Sequence, residues 1–219
     1  MTTMQIADNT FPQLQLQDTV GKALELMDEF KINHLPVVSE EKYLGLVSEE
    51  ILEEYDQEIK LDIFQNSLIQ AAVKADNHFL KAASVYNLYQ VSMVPVINDN
   101  QEFLGSISSA AIIKATGNFS GSSEYGAIVV LEIDRNRFAL SEINSIIESD
   151  GATIMHMNVA PSVVPQLIEV TLQINKKEVA TIIATFTRYE YVVLFSSGEE
   201  LSENDINTNY HNLMNYLDI

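Results

Sequence analysis

His34-Leu35-Pro36-Val37-Val38 returns as Met93-Val94-Pro95-Val96-Ile97, and each copy is followed by a second shared signature. In the first copy it is Gly45-Leu46-Val47-Ser48, in the second Gly105-Ser106-Ile107-Ser108. The proline runs are offset by 59 residues and the glycine runs by 60, as if one loop had gained a residue. Two motifs repeated in the same order make the first half two copies of one folding unit. The functional question is then what sits between the copies.

Working outward from the motifs, both copies show one order of patterns. Thr19 can cap a helix whose apolar positions Val20, Ala23, Leu24, Met27 and Phe30 recur at helical spacing. The run 35–38, a polar turn 39–42 and Leu44 to Val47 read as two adjacent strands. Ser48 is expected to cap a second helix with Glu49 and Glu50 in its first turn, where the helix dipole favours acids. In the second copy Phe79, Ala82, Ala83, Tyr86 and Tyr89 or Gln90 form the first helix. Val94 to Ile97 and Phe103 to Ile107 are the strands around an Asn98-Asp99-Asn100 turn, and Ser108 opens a helix to about Ala115. Each unit is helix–strand–strand–helix with a short extended piece before it.

Residues 117–125 are rich in Gly and Ser without periodicity and read as a linker. Beyond it the pattern changes. A strand over 127–133, a helix over 140–147 stopped by Ser149-Asp150-Gly151, strands over 152–159 and 164–174, a helix from about 177 to 189 and a strand over 191–195 give βαββαβ. Met155 and Met157, alternating around His156, are expected in the core. Residues 203–217 offer a final helix.

Net charge is −19, with 17 acids against 7 bases up to Gly117 and 14 against 5 beyond it. An even negative field of this kind repels phosphate backbones and argues against nucleic-acid binding. The chain has no cysteine, which excludes disulfides and thiolate chemistry and fits a reducing compartment. No basic, then apolar leader and no membrane-length apolar run is visible, so a soluble cytoplasmic protein is expected, with no membrane partner. His34, His78, His156 and His211 have no spacing that gathers metal ligands, so no metal site is expected. Nothing resembles a phosphate-binding loop, a nucleophile elbow or paired catalytic carboxylates, and the expectation is a protein that is not an enzyme.

On the paired motifs quoted above, residues 1–118 resemble a tandem pair of cystathionine-β-synthase (CBS) domains, a Bateman module. The stretch 124–197 looks like an ACT domain, on its βαββαβ pattern and on Ile133-Asp134-Arg135-Asn136-Arg137-Phe138 leading into a helix, with Gly151-Ala152-Thr153-Ile154 after it. The combination is similar to bacterial acetoin-utilisation-type CBS–ACT proteins. The fold class implied is α+β: CBS repeats over 1–59 and 60–117, a linker over 118–125, a ferredoxin-like ACT domain over 126–197 and a helical tail over 198–219. The resemblance further implies a regulatory homodimer that takes a small-molecule effector, an adenosine-containing ligand, in the cleft between repeats. The ligand-contact positions it points to are Asn33, His34, Pro36, Gly45 and Ser48 in the first copy and Met93, Pro95, Gly105 and Ser108 in the second.

The chain departs from the family pattern in both copies. In the family the Ser or Thr of Gly-x-x-Ser/Thr bonds a phosphate and an Asp three residues on grips the ribose. Here those positions are Ile51 and Ala111. Losing a charge-assisted carboxylate contact weakens binding by roughly 1.5–3 kcal/mol per site. Glu49, Glu50, Glu53 and Glu54 crowd the first site with negative charge, which disfavours a triphosphate. Neutral adenosine derivatives, or no ligand, fit better than ATP. Helix capping alone also explains Ser48 and Ser108, and the prolines also serve as strand-edge residues. The alternative is a structural or protein-interaction dimer with degenerate nucleotide sites. In the second half Arg137 stands where effector-binding ACT domains usually carry a glycine, which speaks against amino-acid binding.

Overall fold

A computed structural model describes residues 1–121 and 125–197. The predicted C-terminal helix over 203–217 lies outside the described residues. The chain divides into two compact units with the boundary between Gly117 and Asn118.

In the first unit, α1 (Val20–Phe30) leads into the hairpin of β1 (His34–Ser39) and β2 (Lys42–Ser48), followed by α2 (Glu49–Leu52). After β3 (Val73–Lys74) the order repeats as α3 (Leu80–Tyr89), β4 (Met93–Ile97), β5 (Phe103–Ser108) and α4 (Ser109–Ser120). Thr19 sits in extended backbone and its hydroxyl accepts from the Lys22 N–H at 3.3 Å, the capping geometry its sequence position suggests. Val20, Ala23 and Met27 form the buried stripe of α1. The helices α1 and α3 both end on a non-glycine residue in left-handed backbone, Lys31 at φ 55° and Gln90 at φ 54°.

The hairpins explain the uneven repeat spacing. Glu40 and Glu41, at φ 49° and 67°, form a two-residue turn whose positive φ values match the strand twist. The second turn holds Asp99, Asn100 and Gln101, and only Gln101 turns left-handed, at φ 63°. Asn98 Oδ1 braces it by accepting from the N–H groups of Asn100 and Glu102, both at 2.9 Å. The extra residue lies in this turn.

Backbone bonds join the repeats at the hairpin turns and along the lead-in segments, and at the N-terminus the Thr3 and Met4 N–H groups donate to the Asn77 and Ala75 carbonyls at 2.8 and 3.1 Å. The Tyr43 N–H donates to the Gln101 carbonyl and the Phe103 N–H to the Glu41 carbonyl, both at 2.8 Å. The segments that precede each repeat also cross over. Ile69, ahead of the second copy, exchanges two bonds with Leu46 of β2 (2.8 and 2.9 Å), and Asp8, ahead of the first, exchanges two with Ser106 of β5 (2.8 and 3.0 Å). Each lead-in then pairs with the first strand of its own repeat, Leu14 beside Val37 and Val73 beside Val96. One continuous core results, from Leu14 and Met27 through Leu35 and Leu46 to Met93 and Ile107.

The second helix of the first copy is a single turn, Glu49–Leu52, and the Ser48 hydroxyl does not make the expected capping bond. The reason is a competing demand on the chain that follows. Gln57 and Ile59 turn their carbonyls to the Gly21 and Val20 N–H groups, at 2.9 and 2.8 Å, satisfying donors at the start of α1. A continued helix would withdraw those carbonyls. The predicted linker is corrected too: α4 runs through Gly117 to Ser120 and stops at Gly121, whose φ of 67° marks the true C-terminal glycine.

In the second unit, β6 (Ala127–Asp134), α5 (Leu140–Ser149), β7 (Ile154–Pro161), β8 (Leu167–Ile174), α6 (Ala180–Arg188) and β9 (Val192–Ser197) build an antiparallel sheet in the order β7-β8-β6-β9. This is the ferredoxin-like, ACT-like arrangement, with Val129, Leu131, Val170 and Leu172 of the sheet packed on Ile143, Ile147, Ile182 and Phe186 of the helices. Met155 is not in the core. The pairing slips between Ile154 and His156, so Met155 is the extra residue of a bulge and lies 52% exposed, while Met157 packs inward.

The lead-in crossing requires Gly45 to have no side chain. At φ +147°, a Cβ on Gly45 would lie 2.5 Å from the Leu68 Cβ. Gly151, at φ +70°, has nothing within 4 Å of the same position. Gly45→Ala is therefore expected to destabilise the first unit by about 3 kcal/mol or more, from strain plus overpacking, and Gly151→Ala by about 1 kcal/mol. Denaturant unfolding of the two variants checks the ranking, and equal losses would contradict it.

Candidate functional site

The crossing of the lead-ins puts parts of both repeats around one cleft. It has a volume of about 510 Å³ and its walls include Asn33, His34, Ser48, Glu49, Ile69 and Tyr89. Asn33 and His34 enter from the start of β1, and Ser48 and Glu49 from the junction of β2 with α2. Ile69 comes from the crossing lead-in, and Tyr89 with Gln90 from the C-terminal end of α3.

A small network fixes the cleft floor. The Asn33 N–H donates to Ser92 Oγ at 3.1 Å, and the Ser92 N–H donates to His34 Nδ1 at 3.2 Å. The Asn33 side-chain amide donates to Glu49 Oε2, and the Glu49 N–H returns to the Asn33 carbonyl at 2.9 Å. Burial lowers the His34 pKa from its ordinary 6.5, opposed in part by the Glu49 charge. With Nδ1 accepting, the neutral ring carries its proton on Nε2.

The positions singled out in the sequence separate into distinct groups. Asn33, His34 and Ser48 line this cleft. Pro36, Gly45, Pro95 and Gly105 are buried in the hairpins instead. Pro36 gives its carbonyl to the Leu14 N–H at 2.8 Å, and Gly45 and Gly105 make room for the crossing lead-ins, where a Cβ on Gly105 would lie 2.2 Å from Asn9 Oδ1. Met93 is fully buried in the core, and Ser108 Oγ accepts from the Ala111 N–H at 3.1 Å, a helix cap. Ile69, Tyr89 and Gln90 are cleft residues that sequence reasoning missed. The repeat itself carried no sign that the segment before one copy crosses to the other.

A smaller pocket of about 200 Å³ in the second unit is lined by Glu132, Asp134, Arg137, Glu142, Glu190 and Tyr191, among others. The Tyr191 hydroxyl donates to Glu142 Oε2 at 2.5 Å, and burial together with that carboxylate pushes its pKa up to about 12. Arg137 lies on the turn between β6 and α5 and pairs with Glu190 at 3.5 Å. Among the described residues no group of three His, Asp or Glu side chains could hold a metal ion, and no helix is long and apolar enough to cross a membrane.

Residues 6–56 match the family model of the CBS domain. The fold resembles the solved CBS domain pair/ACT domain protein of Thermotoga maritima, with a TM-score of 0.51 and 20% identity over 54% of this chain and 98% of that one. The first unit is a tandem CBS pair in fold, and the second is ACT-like. Two curated relatives match at lower coverage. A homoserine O-acetyltransferase of Methanocorpusculum labreanum is 29% identical over 116 residues, 51% of this chain and 23% of that protein. An inosine-5′-monophosphate dehydrogenase of Methanocaldococcus jannaschii is 28% identical over 101 residues, 44% of this chain and 20% of that protein. The chain spans less than a quarter of the length of either.

Protonating His34 at Nδ1 removes the acceptor for the Ser92 N–H. Because its folded pKa lies below 6.5, the unfolded chain binds the proton more readily. The contribution of His34 is therefore present above pH 6.5 and lost as pH falls through the folded value. His34→Gln, which keeps an acceptor but does not titrate, is expected to flatten the stability loss between pH 7.5 and 5.5. Denaturation midpoints of both proteins across that range check this.

Proposed function

We propose that the chain is a non-catalytic, ligand-sensing regulatory module, and that the cleft of the first repeat binds an adenosine-containing small molecule. The observation that carries this reading is the cleft itself. Its volume falls within the roughly 300–1,000 Å³ of small-molecule sites, and both repeats contribute walls. Tyr89 and Ile69 offer flat and apolar surface to a base, and Ser48, His34 and the glutamates offer polar contacts. A ligand gripped by both repeats favours one arrangement of them over another, and only such a difference in affinity between states can shift a regulatory equilibrium. The module is read as working as a homodimer, with the ACT-like unit carrying the output.

A second reading is a structural or protein-interaction dimer whose nucleotide sites are degenerate. Ile51 and Ala111, standing where the family has ribose-gripping aspartates, favour it. Melting curves of the full chain with adenosine, AMP, ATP, S-adenosylmethionine and a panel of amino acids separate the two. A ligand at a hundred times its Kd adds about 2.7 kcal/mol of stability, a shift of several degrees for a domain of this size. The sensing reading expects an adenosine compound to move the midpoint and His34→Ala or Ser48→Ala to abolish the shift. No movement with any of them leaves the structural reading.

A further inference from the structure

We propose that the segment 203–217 docks as an amphipathic helix on the open face of the chain's own ACT-like sheet, along β6 and β9. The occupant is a part of the chain outside the described residues, and the surface is one that the ligand-sensing reading does not use.

Side chains alternate across the sheet, and one set packs on α5 and α6. The other set looks away from the helices. In one row of it Gln173 stands between His156 and Ile128, in the next Val130 pairs with Phe195, and in a third Glu132 pairs with Val192. The end of α4 covers the β7–β8 half of this face. Phe119 meets the His156 ring edge-on, 5.4 Å between centroids, and the Gln173 side-chain amide donates to the Gly121 carbonyl. The β6–β9 half is apolar and open, with Ile128, Val192 and Phe195 at 39, 52 and 53% exposed. Contiguous apolar surface of this kind marks an interaction site.

Reach and length fit the segment to that space. β9 ends at Ser197, whose hydroxyl accepts from the Ile128 N–H at 3.0 Å, so the chain leaves the sheet beside the open half. Residues 198–202 extend over up to about 16 Å, and four strands lie about 14 Å across. A helix over 203–217 is about 22 Å long, against about 26 Å for the eight residues of β6. Ile206, Tyr210, Leu213 and Leu217 recur at the spacing that puts them on one side of such a helix. Thr208, His211, Asn212 and Asn215 fall on the other side. Ser202 stands at the capping position, with Glu203 and Asp205 in the first turn where the dipole favours acids.

Charge favours this occupant over a second copy of the sheet. Glu132 and Glu169 stand directly opposite each other on the open face, where like charges already repel. A second copy packed there adds two more carboxylates. Residues 206–217 contain no Asp, Glu, Lys or Arg, although the whole chain carries a net charge of −19. An uncharged apolar stripe covers the face without adding to that repulsion.

The chain has no cysteine, so introduced pairs report the contact directly. In the full chain, Val130→Cys is combined either with Leu213→Cys on the stripe or with Asn215→Cys on the opposite side, and dilute protein is treated with a short bismaleimide. The stripe pair is expected to join within single chains at least about tenfold faster than the other pair, because docking raises the effective concentration of its thiols. Hydrogen exchange over 206–217 in the unaltered chain is expected to be slowed at least about tenfold relative to an unstructured peptide, and Ile128→Ser with Phe195→Ser to remove that protection. Products joining two chains assign the face to a second copy and overturn the proposal. Equal rates for the two pairs, or protection that survives the serine substitutions, overturn it as well. Unchanged exchange over α5 and α6 shows that the serine variant still folds; should it loosen them, the cross-linking rates alone decide.

Discussion

The first unit depends on one exchange: the backbone ahead of each repeat hydrogen-bonds to the last strand of the other before joining its own. Four bonds, between Ile69 and Leu46 and between Asp8 and Ser106, close that exchange. Without it each repeat is a two-stranded hairpin with a helix or two, too little apolar surface to stand alone. With it, the hairpins share one core, and the turn carbonyls of Glu41 and Gln101 find the opposite N–H donors. The cleft follows directly. Ile69 lies on its wall because it pairs with Leu46, two residues from Ser48, and the end of α3 is brought over the same junction.

That symmetric backbone carries asymmetric chemistry. A loop one residue longer, Met93 in place of His34 and Ser92 in place of Asn33 make the repeats interlock rather than merely match. Ser92 takes the Asn33 N–H on its hydroxyl and gives its own N–H to His34. The second copy has no imidazole to return that bond, since Met93 is buried in the core. The local cost of dissimilarity is small because the strand register, not the side chains, sets how the hairpins meet.

Much of this was legible in the sequence, and the boundary of legibility has a physical cause. The repeat, the Thr19 cap, the turn residues and the switch to βαββαβ are local patterns, and local patterns survive folding. The short α2 was not legible, because the carbonyls of Gln57 and Ile59 are claimed by a helix start some 40 residues away in sequence. Nor was the Met155 bulge, since period-two alternation cannot register a single inserted residue. Gly117 read as a breaker although the chain stays helical to Ser120 and turns left-handed only at Gly121. Of the candidate ligand positions, Asn33, His34 and Ser48 line the cleft, while the prolines and glycines of the same motifs serve the crossing. Motif residues adjacent in sequence thus divide between holding the repeats together and facing the space between them.

The missing aspartates are better read beside the hydroxyls than by themselves. In the second copy the whole position is quiet: Ala111 replaces the acid, Ser108 caps its own helix, and the helix face carries no carboxylate. A site with no remaining ligand should look like that, because a cluster of like charges costs stability. The first copy has Ile51 at that position and keeps the like charges, with Glu49, Glu50 and Glu53 lining one cleft beside a Ser48 hydroxyl that makes no cap bond. Repulsion among those carboxylates is relieved by a positive charge and made worse by a phosphate. Specificity is a difference of affinities, and in a cleft with this lining the repulsion of phosphate is one part of that difference.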